Sequence, residues 1–187
     1  GTNNVAVGKQ AGRSISTGGN NMLLGAFSGN SGSPGGAISS GNNEVTLGNG
    51  DHSKIHTQVS LTVASDERDK TDFTDLDVGL DFVNQLAPVT YKWDKRARDV
   101  DWDANPDTDL NSSTQDGTHN ESWLDVGFKA QSVEAVEASF GYNLSNETNL
   151  TTSLSQDGKQ YGLQYEKFVP ILVKAVQELS AKVEELE

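Results

Sequence analysis

The chain has 187 residues, a formal net charge of −13, 34% apolar residues and no cysteine. Nucleic acids and anionic membrane surfaces bind basic patches, so this charge argues against both as partners. No apolar run approaches the ~20 residues that membrane insertion as a helix requires, and the lack of cysteine excludes disulfides and thiolate metal sites. Because the apolar fraction is low, we expect the chain to gain stability by oligomerisation.

Residues 1–50 contain an internal repeat, in which an asparagine pair precedes a short apolar run and a glycine. The copies are Asn3-Asn4 before Val5-Ala6-Val7-Gly8, Asn20-Asn21 before Met22-Leu23-Leu24-Gly25, and Asn42-Asn43 before Glu44-Val45-Thr46-Leu47-Gly48. Asparagine and glycine tolerate the positive φ of tight corners, so the pattern is typical of a β-solenoid or an interleaved β-prism. The alternative is a flexible linker, which does not require matched offsets. We expect the ordered stalk, with Gly29 to Gly41 as a mobile loop, at the C-terminal end of a longer protein.

Residues 55–63 alternate between apolar and polar side chains, which predicts a strand. The strand would end at Ala64, with Ser65 directly after it and Lys70 five positions further on. A serine hydroxyl with a lysine as its base is the minimum inventory of a hydrolytic Ser–Lys pair. We therefore expect a β-repeat stalk over residues 1–64, a second domain over residues 65–187, and self-cleavage of the chain at this boundary.

The composition changes after Lys70, where helical and strand patterns alternate. Apolar residues at helical spacing predict a helix over residues 75–86, which Pro88 ends. Residues 89–93 and 123–128 are predicted strands, and residues 130–136 a short helix with Val133 and Val136 facing inward. The predicted fold class of this part is α+β.

Residues 94–122, called the acidic loop below, are dominated by acidic and polar side chains. Five aspartates lie at alternate or near-alternate positions: Asp99, Asp101, Asp103, Asp107 and Asp109. Oxygen ligands at alternate positions are typical of calcium loops. However, the turn glycine after Asp103 is missing, and Leu110 stands where the closing glutamate is expected. We therefore predict a solvated, mobile loop without a metal or cofactor, and a calcium loop is the alternative.

The strongest periodic signal lies at the C-terminus. Alternating steps of four and three separate Tyr165, Val169, Leu172, Val176, Leu179, Val183 and Leu186. This seam is typical of a parallel coiled coil, and Pro170 fits only in a first turn, so we predict a helix over about residues 166–187. A helix that only covers its own domain is the alternative, and it would explain residues 165–176. Val and Leu in the two core classes favour two strands, whereas a β-prism favours three, so the seam leaves the oligomer number open.

Several segments carry one family pattern in the same order. They are Ser65-Asp66-Glu67-Arg68 with Lys70, Gly79-Leu80-Asp81-Phe82-Val83, Leu86-Ala87-Pro88-Val89 leading to Tyr91 and Trp93, Gly127-Phe128-Lys129-Ala130-Gln131-Ser132-Val133, Tyr161-Gly162-Leu163-Gln164-Tyr165, and Ala175-Val176-Gln177-Glu178-Leu179. They resemble the C-terminal intramolecular chaperone and autoprocessing domain of bacteriophage tailspikes and tail fibres, the endosialidase type, which also occurs in myelin regulatory factor. The resemblance covers about residues 61–96 and 123–187.

The resemblance implies a homotrimer in a phage virion, assembled in the host cytoplasm. Its C-terminal domain would gather three chains, help the β-stalk upstream in the same chain to fold as a β-prism or triple β-helix, and then be released. Release would be self-cleavage between Ala64 and Ser65. In that reaction the Ser65 hydroxyl attacks the Ala64 carbonyl through a five-membered ring, and neutral Lys70 is the general base.

The charge of the lysine decides whether this pair can act. An unperturbed lysine has a pKa of ~10.4, and only burial or a nearby cation lowers it usefully. Arg68 is such a cation, whereas four nearby carboxylates favour the charged form: Asp66, Glu67, Asp69 and Asp72. Family members commonly carry an apolar residue where Asp69 stands, so Arg68 and Asp69 are the expected modulators of the pair. The alternative function is an uncleaved structural tip of the fibre that contacts a host surface receptor.

Overall fold

The computed structural model describes residues 1–186, and its N-terminal part stacks the three sequence repeats. Each repeat contributes one short strand to a parallel sheet in the order β1-β2-β3: β1 (Val5–Val7), β2 (Met22–Leu24) and β3 (Val45–Leu47). The register is that of the repeat, since Val5 pairs with Met22 and Met22 pairs with Val45. The repeats are therefore ordered within one chain. A longer, trimeric stalk stays a prediction.

Asparagines make the corner before each strand and link one repeat to the next. Asn3, Asn20 and Asn43 have positive φ angles of 58°, 57° and 64°, which asparagine tolerates better than most residues. The Asn20 side chain donates a hydrogen bond to Asn43 Oδ1 at 2.7 Å. Buried Asn21 accepts one from the Glu44 backbone N–H at 2.9 Å. Because Glu44 takes the position of Asn21 in the third copy, the repeat is offset there by one residue from the asparagine pairs.

Residues 29–41 are packed, which makes the prediction of a mobile loop there wrong. Ile38 is fully buried. The Gln160 side chain donates hydrogen bonds to the carbonyl oxygens of Ser31 and Ser33 at 2.9 and 2.7 Å. The sequence did not indicate this order because Gln160 is 129 and 127 positions from Ser31 and Ser33, and a glycine-rich segment alone does not point to a distant partner.

The acidic loop also packs, although we predicted it to be solvated and mobile. Leu110 is buried within it. Lys9 of the first repeat forms an ion pair with Asp103, and Arg98 donates a hydrogen bond to the Asp51 carbonyl oxygen at 2.9 Å. The loop therefore lies against the repeats, where Lys9 meets one of its carboxylates.

The strand predicted over residues 55–63 does not form within this chain. Residues 53–64 have no regular secondary structure and make no backbone–backbone hydrogen bond within the described residues. Four apolar side chains are between 72% and 84% exposed: Ile55, Val59, Leu61 and Val63. A strand requires a neighbouring strand for its backbone groups, and none lies beside this segment.

The C-terminal part is a small α+β unit, which confirms the predicted class. Its elements are α1 (Leu80–Gln85), β4 (Val89–Tyr91), β5 (Asp125–Gly127), α2 (Ala130–Ser139), β6 (Thr152–Leu154), β7 (Tyr161–Leu163) and α3 (Phe168–Glu184). Two antiparallel strand pairs, β4 with β5 and β6 with β7, flank the helices. The core consists of Val78, Phe82, Val133, Phe168 and Ile171. Among the described residues, no helix has the length and apolarity needed to cross a membrane.

Helix α1 starts five residues later than predicted because α3 sets its first turn. The Leu80 backbone N–H donates a hydrogen bond to Glu178 Oε2 at 2.8 Å. A Cβ on Gly79 would lie 2.5 Å from the same oxygen. Glu178 therefore joins α3 to α1.

Glu137 of α2 holds the chain between α2 and β6. Its buried carboxylate accepts five hydrogen bonds of 2.6 to 3.1 Å from Leu150, Thr151 and Thr152. Burial alone would raise the pKa of this carboxyl, but the hydrogen bonds from Thr151 and Thr152 outweigh burial and hold the pKa below its ordinary value. Glu137 is thus a buried charge with a complete set of partners.

Helix α3 has two apolar faces. One face packs on the core through Phe168, Ile171 and Ala175, all buried. The start of the helix at Phe168, with Pro170 in its first turn, confirms the predicted N-terminus to within two residues. Its end is at Glu184, and Glu187, to which we predicted the helix to extend, lies outside the described residues. The second face carries the predicted seam.

Candidate functional site

A single turn brings Ser65 and Lys70 together. Residues Glu67–Asp69 form a 3₁₀ turn, and the Lys70 backbone N–H donates a hydrogen bond to the Glu67 carbonyl oxygen at 3.1 Å. The turn reverses the direction of the chain, so that Lys70 Nζ lies 2.6 Å from Ser65 Oγ. Two residues that the sequence paired by type and spacing are thus in direct contact.

The contact has the distance of a proton-transfer pair. In the structure the Lys70 ammonium donates a hydrogen bond to Ser65 Oγ. Loss of one proton from nitrogen would reverse the bond, and the amine would then accept the hydroxyl proton, as a general base does. Both side chains are exposed in this chain, so the protein itself provides no burial around the pair.

The two expected modulators are placed differently. Arg68 forms a bidentate ion pair with Asp66, with Nε 3.0 Å from Oδ1 and Nη2 2.6 Å from Oδ2. The hydrogen bonds from Arg68 lower the pKa of the Asp66 carboxyl, and Asp66 in turn raises the pKa of the Arg68 guanidinium. Asp66 therefore compensates the charge of Arg68, which reduces the effect of this cation on Lys70. The Asp69 side chain is exposed and forms no hydrogen bond with any of residues 1–186.

The Gly-Phe-x-Ala-Gln-x-Val segment has a packing role. A Cβ on Gly127 would lie 2.2 Å from the Tyr165 hydroxyl oxygen, which leaves no room for a side chain. The same oxygen accepts a hydrogen bond from the Phe128 backbone N–H at 3.1 Å. The rings of Phe128 and Phe168 stack at 5.3 Å between centroids. Tyr165, which we predicted only as the first seam residue, thus also ties α3 to β5.

The seven seam residues all remain exposed. Their exposed fractions lie between 47% and 87%: Tyr165, Val169, Leu172, Val176, Leu179, Val183 and Leu186. Val173 and Gln177 join three of them to line an open, largely apolar groove along α3. The alternative in which the helix covers only its own domain therefore explains the Phe168 face and leaves this second face without a partner in the chain.

The acidic loop does not bring its alternating aspartates together. Asp103 pairs with Lys9, and Asp101 Oδ1 accepts a hydrogen bond from the Asp103 backbone N–H at 3.0 Å. The group that converges is Asp99, Asp116 and His119, whose ligating atoms lie within 4.8 Å of one another. The sequence reading missed His119 and Asp116 because they are 20 and 17 positions from Asp99, and no local spacing relates them.

Residues 65–142 match the family model described as chaperone of endosialidase. The match confirms, for this part of the chain, the resemblance stated from the sequence. It supports an intramolecular chaperone of the kind associated with phage tail proteins for residues 65–142. The match begins at Ser65 and ends before β6 and α3, although α3 shares one core with the matched part. No curated protein and no solved structure matches the chain.

Proposed function

We propose that residues 65–187 form an intramolecular chaperone that joins three chains, helps the β-repeats to fold, and leaves by cutting the Ala64–Ser65 bond. The observation that carries the proposal is the 2.6 Å contact between Lys70 Nζ and Ser65 Oγ. It lies at the first residue of the family match. The enzyme activity is a single turnover on its own chain, and the product would be part of a tail fibre or tailspike in the virion.

The reaction balances with these two side chains and water. Neutral Lys70 takes the hydroxyl proton as Ser65 Oγ attacks the Ala64 carbonyl carbon, forming a C–O bond. The Ala64–Ser65 C–N bond then breaks, and the lysine ammonium gives its proton to the Ser65 nitrogen. Water hydrolyses the resulting ester, which leaves a carboxylate on Ala64, restores the hydroxyl of Ser65 and gives one proton to the new Ser65 amine.

The exposed seam supports association of several chains through α3, and the number three comes from the family resemblance. Five of the exposed seam residues lie on one face of α3, with Tyr165 before the helix and Leu186 after it, and burial of these side chains against other copies would be favourable. Linking three chains at their C-termini raises the effective concentration of the repeat strands near one another. Apolar segments of separate chains that find no strand partner in their own chain, such as residues 55–63, would otherwise find one another slowly. The homotrimer and the stalk of the same chain are thus the partners in this proposal.

An uncleaved tip is the second candidate, and the contacts between the two parts of the chain favour it. Asp157 accepts a hydrogen bond from the Ala37 backbone N–H at 2.9 Å, and Gln156 accepts one from Gly41 at 3.1 Å. Such contacts would hold the C-terminal unit on the repeats, as a permanent tip requires. In that case the acidic loop would remain on the fibre as a surface for a host receptor.

The experiment is a time course of cleavage for the whole chain during cell-free synthesis, read on a denaturing gel and by intact mass. Wild type is expected to give two fragments, cut between Ala64 and Ser65. Ser65→Ala and Lys70→Ala are each expected to give only the intact chain. Ser60→Ala changes an exposed serine in the same irregular segment and is expected to cleave as wild type does.

Two outcomes decide between the candidates. Fragments that persist in both Ser65→Ala and Lys70→Ala would refute the proposed pair. An intact wild-type mass after prolonged incubation would refute self-cleavage and support the uncleaved tip.

A further inference from the structure

Asp66 builds the turn between Ser65 and Lys70, and we propose that Asp66 is the positioning residue of this pair. The inference rests on the self-cleavage proposed above. It assigns Asp66 a part that the sequence reading did not, since there the carboxylate only favoured a charged lysine.

The pair needs a turn in order to meet. Five residues of extended chain span up to about 17 Å, which is farther than a lysine side chain reaches. In the structure the Asp69 and Lys70 backbone N–H groups donate to the carbonyl oxygens of Asp66 and Glu67 at 3.2 and 3.1 Å. These two hydrogen bonds close the chain into the turn that brings Nζ to Oγ.

Nothing buried holds this turn in place. None of its residues is buried, and the 3₁₀ hydrogen-bond geometry is poorer than that of an α-helix. The hydrogen bonds of its first residue therefore decide how much of the time the turn is formed. The rate of cleavage should follow that fraction, because only the closed turn brings the base to the hydroxyl.

Asp66 supplies two such contacts from one carboxylate. Oδ1 accepts a hydrogen bond from the Arg68 backbone N–H at 3.0 Å, which is the N-cap of the turn. The same carboxylate pairs with the Arg68 side chain through Oδ1 and Oδ2. Exposed ion pairs contribute little, whereas an N-cap contributes more. We therefore assign the positioning to the cap and a minor share to the ion pair.

Two substitutions separate the cap from the charge. Asp66→Ala removes both contacts, and we expect self-cleavage about five- to tenfold slower, the factor that corresponds to loss of an N-cap. Asp66→Asn keeps a good N-cap without the negative charge, and we expect a rate within about twofold of wild type. Glu67→Ala is the matched control. It removes a carboxylate of the same turn that forms no hydrogen bond with any of residues 1–186.

The pH profile shows whether Asp66 acts through position or through charge. Positioning lowers the rate of Asp66→Ala by one factor at every pH and leaves the shape of the profile unchanged. A profile displaced along the pH axis would overturn the proposal, because Asp66 would then act on the charge of the lysine. If Asp66→Asn cleaves as slowly as Asp66→Ala, the N-cap is not what positions the pair. If Asp66→Ala cleaves at the wild-type rate, Asp66 has no positioning role.

A second measurement does not need cleavage. In the whole chain with Ser65→Ala, hydrogen exchange at the Lys70 amide reports the turn, since that amide donates within it. Adding Asp66→Ala should speed this exchange about five- to tenfold, and unchanged exchange would refute the proposal. If Ser65→Ala and Lys70→Ala are inactive while Asp66→Ala cleaves normally, the positioning fails and the proposed function stands.

Discussion

The C-terminal core and the irregular segment of residues 53–64 differ in how far their apolar side chains are exposed. Phe82 and Val133 are fully or almost fully buried within one chain, whereas Leu61 and Val63 are 84% and 77% exposed. The two sets have similar side chains, so composition does not separate them. The difference is that the core residues come from helices that pack on one another, while the segment has no neighbouring strand. One part of the molecule thus buries its apolar side chains within a single chain, and the other leaves them exposed.

The same contrast recurs on the repeats and on α3. The outer face of the three-stranded sheet leaves five apolar side chains between 43% and 64% exposed: Val5, Val7, Met22, Val45 and Leu47. On α3, buried Ile171 is directly followed by exposed Leu172. The predictions below test this division and are ordered by their expected effect on the free energy of unfolding of the single chain.

The largest effect is expected from the core. Phe82→Ala removes a fully buried ring whose centroid lies 5.5 Å from that of the Phe140 ring. The substitution should lower the free energy of unfolding by about 3–5 kcal/mol. Leu61→Ala removes an exposed side chain of residues 53–64 and should change the free energy of unfolding of the single chain by less than about 0.5 kcal/mol. Urea unfolding at low protein concentration, in the Ser65→Ala background, measures both. Equal losses of unfolding free energy for the two variants would contradict the difference between the buried core and the exposed segment.

A smaller effect is expected from Glu137→Gln. The amide cannot accept all five hydrogen bonds, so the substitution should cost about 1–3 kcal/mol at neutral pH. Because the pKa of Glu137 is held below its ordinary value, its contribution is present above that value and is lost as the pH falls through the lowered pKa. Wild type and variant should therefore become more alike in acid. Urea unfolding at neutral and at strongly acidic pH checks this, with exposed Glu166→Gln as the control.

Leu172→Asp should alter association and not the fold of one chain. The side chain lies on the exposed seam, so the free energy of unfolding of the dissociated chain should change by less than about 1 kcal/mol. Association of copies through the seam should be lost, which sedimentation equilibrium measures as mass. Ala181→Asp is the control, since nine residues place this exposed position about 180° around the helix. An unchanged mass for Leu172→Asp would show that the seam is not the interface.

The smallest effect is expected from Lys9→Ala. The ion pair with Asp103 is half exposed on both sides, so its loss should cost less than about 1 kcal/mol, and less in high salt. Arg13→Ala removes a cation from the same repeat that forms no ion pair within the described residues. Urea unfolding in low and high salt compares the two variants. A loss for Lys9→Ala that salt does not reduce would show that the contact is not electrostatic.

Several features of the site followed from local sequence patterns. The repeat predicted where β1 to β3 lie, and the step of four and three predicted the exposed face of α3. The pairing of Ser65 with Lys70 followed from residue type and spacing. The turn between them also had a local signal, because an aspartate directly before a short turn is a preferred N-cap.

Other features had no local signal. The buried face of α3 overlaps the seam along the helix, so one periodic pattern concealed the other. The contacts of Gln160 with Ser31 and of Glu178 with Leu80 join residues about a hundred positions apart. Pattern reading therefore described residues 29–41 and the acidic loop as mobile, although the two segments hold positions set by the fold.

The sequence by itself determined the strand repeat, the apolar seam, the Ser65–Lys70 pair and the family of residues 65–142. These depend on side-chain type at fixed spacing, which short-range geometry translates directly into structure. Only the tertiary structure decided which apolar residues are buried, which loops are ordered, and that Glu178 of α3 pairs with the first turn of α1. Those outcomes depend on which distant groups compete for the same partners, and the number of such groups is known only once the chain is folded.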